Sequence, residues 1–171
     1  MRVKICSRRV VERLLQTNQF PNDMVLISFY TPQTHKKAEE VFVDAAMLGE
    51  RVFYVGIPDI DLECLKEYGY TYESYLEQAD ELAKFIYKAK AKGWGILCQC
   101  DYGQSRSPAC AAAIVEHFYG RGIEICMDFR YYPNQLVYHK VYDALNTHRR
   151  LLQSERTLID KGENNELQDT L

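Results

Sequence analysis

The sequence predicts an α/β fold, a central and mostly parallel sheet flanked by helices in a single domain, and three observations predict it. Short apolar runs of strand character alternate with segments whose apolar residues recur every three or four positions. That alternation is the pattern of parallel strands joined by helical crossovers. The chain has 171 residues, 47% of them hydrophobic, enough for one domain with a substantial core and too few for two.

Taken in order, residues 2–6 alternate as a short strand, and Ser7 can cap a helix running to about Leu15. After the turn signal Pro21-Asn22-Asp23, residues 24–30 form a second, apolar strand. Residues 34–48 read as a helix, with Ala38, Val41, Phe42, Ala45 and Leu48 spaced by three and four and Gly49 ending the run. The cluster His35, Lys36, Lys37 at its start reads as a solvated face. Residues 51–57 form a third strand. The longest helix is expected over residues 74–92, with Ser74-Tyr75-Leu76-Glu77 as a capping box and Tyr75, Ala79, Leu82, Ala83 and Ile86 on one packed face. Gly93 stops it before a strand over residues 95–100. An alanine-rich helix comes next over residues 107–119, residues 121–130 fit neither period, and Tyr131-Tyr132-Pro133-Asn134 turns into a last helix reaching about Arg150. The domain is assigned to residues 1–152; residues 153–171 read as a polar tail, partly disordered and frayed over its last ten residues.

A net charge of −3 and a pI near 5.8 give no general attraction to nucleic acid or to acidic membranes. No segment approaches the roughly 18 consecutive apolar residues of a membrane-spanning helix, and the first residues lack the apolar core of a secretion signal. The expectation is a soluble cytoplasmic protein with no nucleic-acid or membrane partner. The cysteines at 6, 64, 98, 100, 110 and 126 form no metal-ligand pair of pairs, and a chain of this size needs no disulfide framework, so reduced thiols are expected.

The chemistry concentrates in residues 95–108, GILCQCDYGQSRSP. An apolar strand ends at Cys100, a small polar loop succeeds it, and Ser107-Pro108 opens a helix. A strand that delivers a loop onto a helix N-terminus aims backbone N–H groups and the positive end of the helix dipole at one point, an anion site. Gly103 supplies torsions that let successive amides converge. Arg106 adds a planar fork matching two oxygens of a phosphate. The same positive surroundings favour thiolate over thiol at Cys100, which then can attack what the loop binds. Taken alone, Cys100 would read as a core cysteine and Ser107 as a plain helix cap. Tyr102 either closes one side of the pocket or is an exposed loop tyrosine. Cys98, two residues before Cys100 on a strand, should face the same side.

CDYGQSRS resembles the signature loop of the cysteine-dependent protein phosphatases, in which Cys, x, x, Gly, x, x, Arg, Ser/Thr recur in that order: Cys100, Gly103, Arg106 and Ser107 match. It is most similar to the dual-specificity branch and its prokaryotic relatives. The resemblance extends upstream through YLEQADELAKFIYKAKAKGWGILCQC and downstream to Pro133-Asn134-Gln135-Leu136, about residues 50 to 150. It departs from the family at Gln99, where a histidine is usual. The resemblance implies a protein tyrosine phosphatase-like fold and a hydrolase acting on phosphotyrosine or phosphoserine/threonine proteins. It implies that Cys100 attacks phosphorus to give a phosphocysteine, that the amides of Asp101, Tyr102, Gly103, Gln104, Ser105 and Arg106 with the Arg106 guanidinium hold the phosphoryl oxygens, and that the Ser107 hydroxyl hydrogen-bonds the departing thiolate. Asn134 would brace the loop. Phosphate- or sulfate-like anions should occupy the loop, and neither metal nor other cofactor is implied, because Arg106 and the amides neutralise the charge.

The leaving oxygen needs a proton, which a carboxylic acid in the loop after the third strand can supply. Asp59 is chosen because Pro58-Asp59 resembles the family's acid loop and stands nearer the strand end; Asp61 is next. The spacing, 100 minus 59 or 41 residues, is longer than the family's, and the insertion is assigned to residues 62–71. Three alternatives stand beside this reading. Gln99 fits a catalytically weak or inactive phosphate-binding module. Sulfur transfer or arsenate reduction also uses a cysteine beside an anion loop. A phosphoinositide, inositol phosphate or RNA end would favour lysines in the loop, which has none.

Overall fold

The computed structural model describes residues 1–32 and 42–168. Among the described residues four strands, β1 (Val3–Ser7), β2 (Met24–Tyr30), β3 (Val52–Gly56) and β4 (Gly95–Cys100), form one sheet in the order β1-β4-β2-β3 with every pair parallel. The helices are α1 (Arg8–Gln16), α2 (Ala79–Ala91), α3 (Arg106–Tyr119), the single turn α4 (Ile123–Cys126) and α5 (Gln135–Gln168). The predicted α/β class with a parallel sheet is what the chain adopts.

Strand alternation sorts the core into two layers. Met24 and Leu26 of β2 and Leu97 of β4 face α1, where Val11, Leu15, Phe20 and Leu48 close a smaller cluster. Val25, Ile27 and Phe29 with Ile96, Cys98 and Cys100 face the other way, under α2, α3 and α5. β4 is buried along its whole length, as befits a central strand covered on both faces. Ala109, Ala111 and Ala113 of α3 are fully buried, so the helix after Cys100 lies directly on the sheet.

Several boundaries differ from expectation. The first residues of the helix expected over 34–48, with the cluster His35, Lys36, Lys37, lie outside the described residues. Residues 42–45 are irregular and lead into a 3-10 segment, Ala46–Arg51, interrupted at Gly49, whose positive φ of 54° ends any helical run there. The longest predicted helix starts at Ala79, not residue 74. Thr71 N–H donates to Ser74 Oγ at 2.9 Å and Ser74 N–H donates to Thr71 Oγ1 at 3.2 Å, so the serine hydroxyl is spent on a local turn and no capping box forms. Residues 123–126 form α4. The last helix continues past Arg150 to Gln168, taking in most of the segment read as a tail.

Candidate active site

The site is built where β4 ends and α3 begins. Cys100 is the last residue of β4, and Ser107 one turn into the motif offers its hydroxyl 3.1 Å from the Cys100 sulfur. Both are buried. Between them the loop is fixed from outside. Arg8 N–H donates to the Asp101 carbonyl at 3.2 Å, Tyr132 N–H to the Gln104 carbonyl at 2.7 Å and Asn134 N–H to the Ser105 carbonyl at 3.3 Å. Because a trans peptide points its C=O and the next N–H in opposite directions, the N–H groups of Tyr102, Ser105 and Arg106 turn away from those partners. Gly103 carries φ 75°, and a Cβ there would stand 2.8 Å from the Cys6 carbonyl carbon and 2.9 Å from Ser7 N, so both torsion and space demand glycine.

Arg106, only 2% exposed, folds back beneath the loop. Nη1 donates to the Ile57 carbonyl at 2.7 Å and to Thr31 Oγ1 at 3.1 Å, and Nη2 donates to Asp101 Oδ2 at 2.7 Å. Its Nε is buried without a hydrogen-bond partner, although Asp59 Oδ2 lies 3.7 Å away. A buried cationic donor without a hydrogen-bond acceptor is costly in a finished core.

Asp59 stands over the same cleft. Ser105 Oγ donates to its Oδ1 at 2.7 Å and Asn134 Nδ2 at 2.9 Å. Asn134 also donates to the Ile60 carbonyl at 2.9 Å and caps α5 by accepting from Val137 N–H at 3.0 Å. The asparagine thus ties the loop that carries Asp59, the loop after Cys100 and the last helix together. From below, the Tyr75 hydroxyl donates to the Pro58 carbonyl at 2.7 Å. Burial, then the Asp59 charge, hold that phenol well above its usual range, so it stays a donor. Asp61 instead occupies the position just before the 3-10 turn Leu62–Cys64, where its carbonyl accepts from Cys64 N–H at 3.0 Å, and lines a neighbouring groove with Glu63 and Cys126.

A cleft of about 420 Å³ is lined by Cys100, Asp101, Tyr102, Gln104, Ser105, Arg106 and Asp59 together. Gly103, Ser107 and Asn134 support it from behind. Tyr102 lines the cleft from its rim, with 83% of its surface exposed. The cleft also takes in Thr31, Tyr68 and Tyr132, which sequence reasoning did not single out. Tyr68 lies inside the insertion 62–71, and Tyr132 sits beside the Pro133-Asn134 signal; their positions in the chain were visible, their convergence was not.

Two other thiols, Cys6 and Cys98, are held protonated by their surroundings. Burial, then Cys100, push the Cys6 thiol up to about 12. A hydrogen bond with Cys110, then burial, raise Cys98 well above the usual range; it shares the Cys100 side of the sheet, as expected. Gln99 points to the opposite face, where Ser28 Oγ of the adjacent strand donates to its Oε1 at 2.6 Å.

Solved structures that share this fold include two phosphatases. The Cydia pomonella PTP-2 phosphatase is 12% identical with a TM-score of 0.52, the match covering 84% of this chain and 85% of that one. The PTPMT1 complex with PI(5)P is 13% identical with a TM-score of 0.50, covering 87% of this chain and 91% of that one. The chain has the protein tyrosine phosphatase-like fold. No family model matches the sequence, and no curated protein matches it. In open parallel α/β sheets the crevice beyond the carboxyl ends of the strands is the usual ligand position, and Cys100, Thr31 and the loop after β3 converge there in this chain. Among the described residues no helix is long and apolar enough to cross a membrane.

Proposed function

We propose that this chain is a cysteine-dependent phosphatase that hydrolyses phosphomonoesters on proteins through a phosphocysteine intermediate. The observation that carries the reading is the buried Nε of Arg106, without a hydrogen-bond partner and only ion-paired to Asp59 at 3.7 Å, in a cleft that Cys100 and Asp59 both line. A phosphoryl group seated there takes hydrogen bonds from Arg106 and from the N–H groups of Tyr102, Ser105 and Arg106. The Cys100 thiolate attacks phosphorus, the bond to the leaving oxygen breaks, and Asp59, entering as the carboxylic acid, gives that oxygen its proton. Water then attacks the phosphocysteine, Asp59 takes its proton, phosphate leaves, and the Ser107 hydroxyl 3.1 Å away hydrogen-bonds the released thiolate. Preorganised donors around the three non-bridging oxygens supply the largest share of the acceleration.

A protein substrate is favoured over a lipid headgroup. One structural neighbour was crystallised with PI(5)P. Yet the loop here carries no lysine and places the Asp101 carboxylate at the cleft wall, which disfavours a multiply charged ligand. The test is hydrolysis of an aryl phosphate by the purified chain without added metal, from mildly acid to neutral pH. Cys100→Ser should abolish turnover and Asp59→Ala should lower kcat by about 10²- to 10⁴-fold, the usual worth of a positioned acid. An Asp59→Ala variant at full activity would transfer the role to Asp61. Tight phosphate or vanadate binding without turnover would identify a phosphate-binding module instead.

A further inference from the structure

Phosphate recognition by arginine uses one edge of the guanidinium, where two N–H groups point the same way. In Arg106 that edge is Nε with Nη2, and two carboxylates already stand at it: Asp101 Oδ2 accepts from Nη2 at 2.7 Å, and Asp59 Oδ2 lies 3.7 Å from Nε. Asp59 has a catalytic use. The Asp101 side chain has none, since the loop needs only the backbone of that residue. Nor does Arg106 need Asp101 for its position, because Nη1 is anchored by the Ile57 carbonyl and Thr31. Asp101 has a second cation, with Oδ1 3.0 Å from Arg8 Nη1, and its carbonyl is held by Arg8 N–H. It is partly open to solvent, so its carboxylate can turn without moving the loop.

From this we infer that Asp101 is a built-in competitor for the phosphate edge of Arg106, an inference that rests on the phosphatase reading of the cleft. An incoming phosphoryl group displaces the Asp101–Nη2 hydrogen bond, and the carboxylate remains on Arg8. Its negative charge, left beside the bound anion, sets the affinity of the site below what its donors alone would give. The residue therefore tunes phosphate and phosphomonoester affinity, and through it the strength of product inhibition.

The experiment compares the full chain with Asp101→Asn, and with Asp101→Ala in case the amide keeps the hydrogen bond, after thermal unfolding has shown each to be folded. Inorganic phosphate binding is measured by calorimetry at fixed pH and ionic strength, and kcat and KM are measured separately on an aryl phosphate. Competition predicts phosphate binding tightened about tenfold in the variants and KM lowered, with kcat no higher than in the parent. Binding that is unchanged or weaker in both folded variants overturns the inference and makes Asp101 a support for the loop. Failure of the phosphatase reading looks different: the parent chain then shows no turnover whatever Asp101 does to phosphate affinity. If no form binds phosphate at all, both fall together.

Discussion

At the scale of single residues, the candidate site depends most on a side chain that is absent. Gly103 combines a positive φ with backbone of β1 less than 3 Å from where a Cβ would be. Gly103→Ala must therefore either distort the loop or push it off β1. The expected outcome is loss of phosphate binding by about tenfold or more, with unfolding free energy reduced by about 1–3 kcal/mol, the cost of one strained backbone position. Calorimetric titration beside urea unfolding separates the two effects; binding at the parent affinity would show that the loop tolerates the methyl group. The sequence made the residues of this loop legible because six consecutive loop positions need only local spacing to be placed. Asp59 is legible beside Pro58 near the end of the third strand, and the structure sets it against Ser105 and Asn134 at the cleft. Thr31, Tyr68 and the side-chain link between Asp101 and Arg106 were not legible, because they depend on how separate loops meet in space.

At the scale of elements, the unit that matters is β4, loop and α3. The strand ends at Cys100 as the apolar run predicts, and the helix begins at Arg106, one residue before the expected start. Its fully buried alanines admit no larger side chain. Ala111→Leu inserts three carbons where packing is complete and should destabilise the domain by about 1–3 kcal/mol, read from the shift of the urea midpoint at constant slope. A neutral result would mean that α3 has slack against its neighbours. Because α3 carries Arg106 and Ser107 at its start, the same variant should also lose activity beyond its loss of stability. The start of α2 was misplaced for a reason periodicity cannot reveal. Tyr75 and Leu76 are buried as a helix face would be, yet the mutual hydrogen bonds of Thr71 and Ser74 close a turn first. Helical spacing reports which residues go inside, while local side-chain hydrogen bonds decide where the regular helix begins.

At the scale of the whole molecule, three helices from distant parts of the chain meet at His117. The Tyr87 hydroxyl of α2 lies 2.8 Å from His117 Nε2, Asn146 of α5 lies 3.0 Å from Nδ1, and Arg149 of α5 presses a guanidinium nitrogen to 2.7 Å from Nδ1 while donating to the His117 carbonyl. Burial first, and Arg149 second, lower the imidazole below its ordinary value of 6.5, against a smaller opposing effect of Asn146. With the folded value depressed, the unfolded chain takes up the proton more readily, so stability is complete above 6.5 and declines as pH falls below it toward the folded value. His117→Gln should flatten that decline, checked by thermal midpoints at about pH 7.5 and about pH 5.5, straddling the imidazole range. An unchanged slope would assign the acid sensitivity to other groups. The parallel sheet was predicted from alternation alone, but its order was not, since placing β4 between β1 and β2 depends on which strands meet rather than on any one strand's composition. That order bears on how the cleft is assembled. The floor under Gly103 is the end of β1, whose register partner is β4, so the cradle around Cys100 exists only after the first described strand has closed onto one nearly a hundred residues further along. Such closure is entropically the most demanding kind of contact to make. During folding the loop after Cys100 therefore lacks its floor until that pairing forms, and only then can Cys100, Arg106 and Asp59 line one cleft.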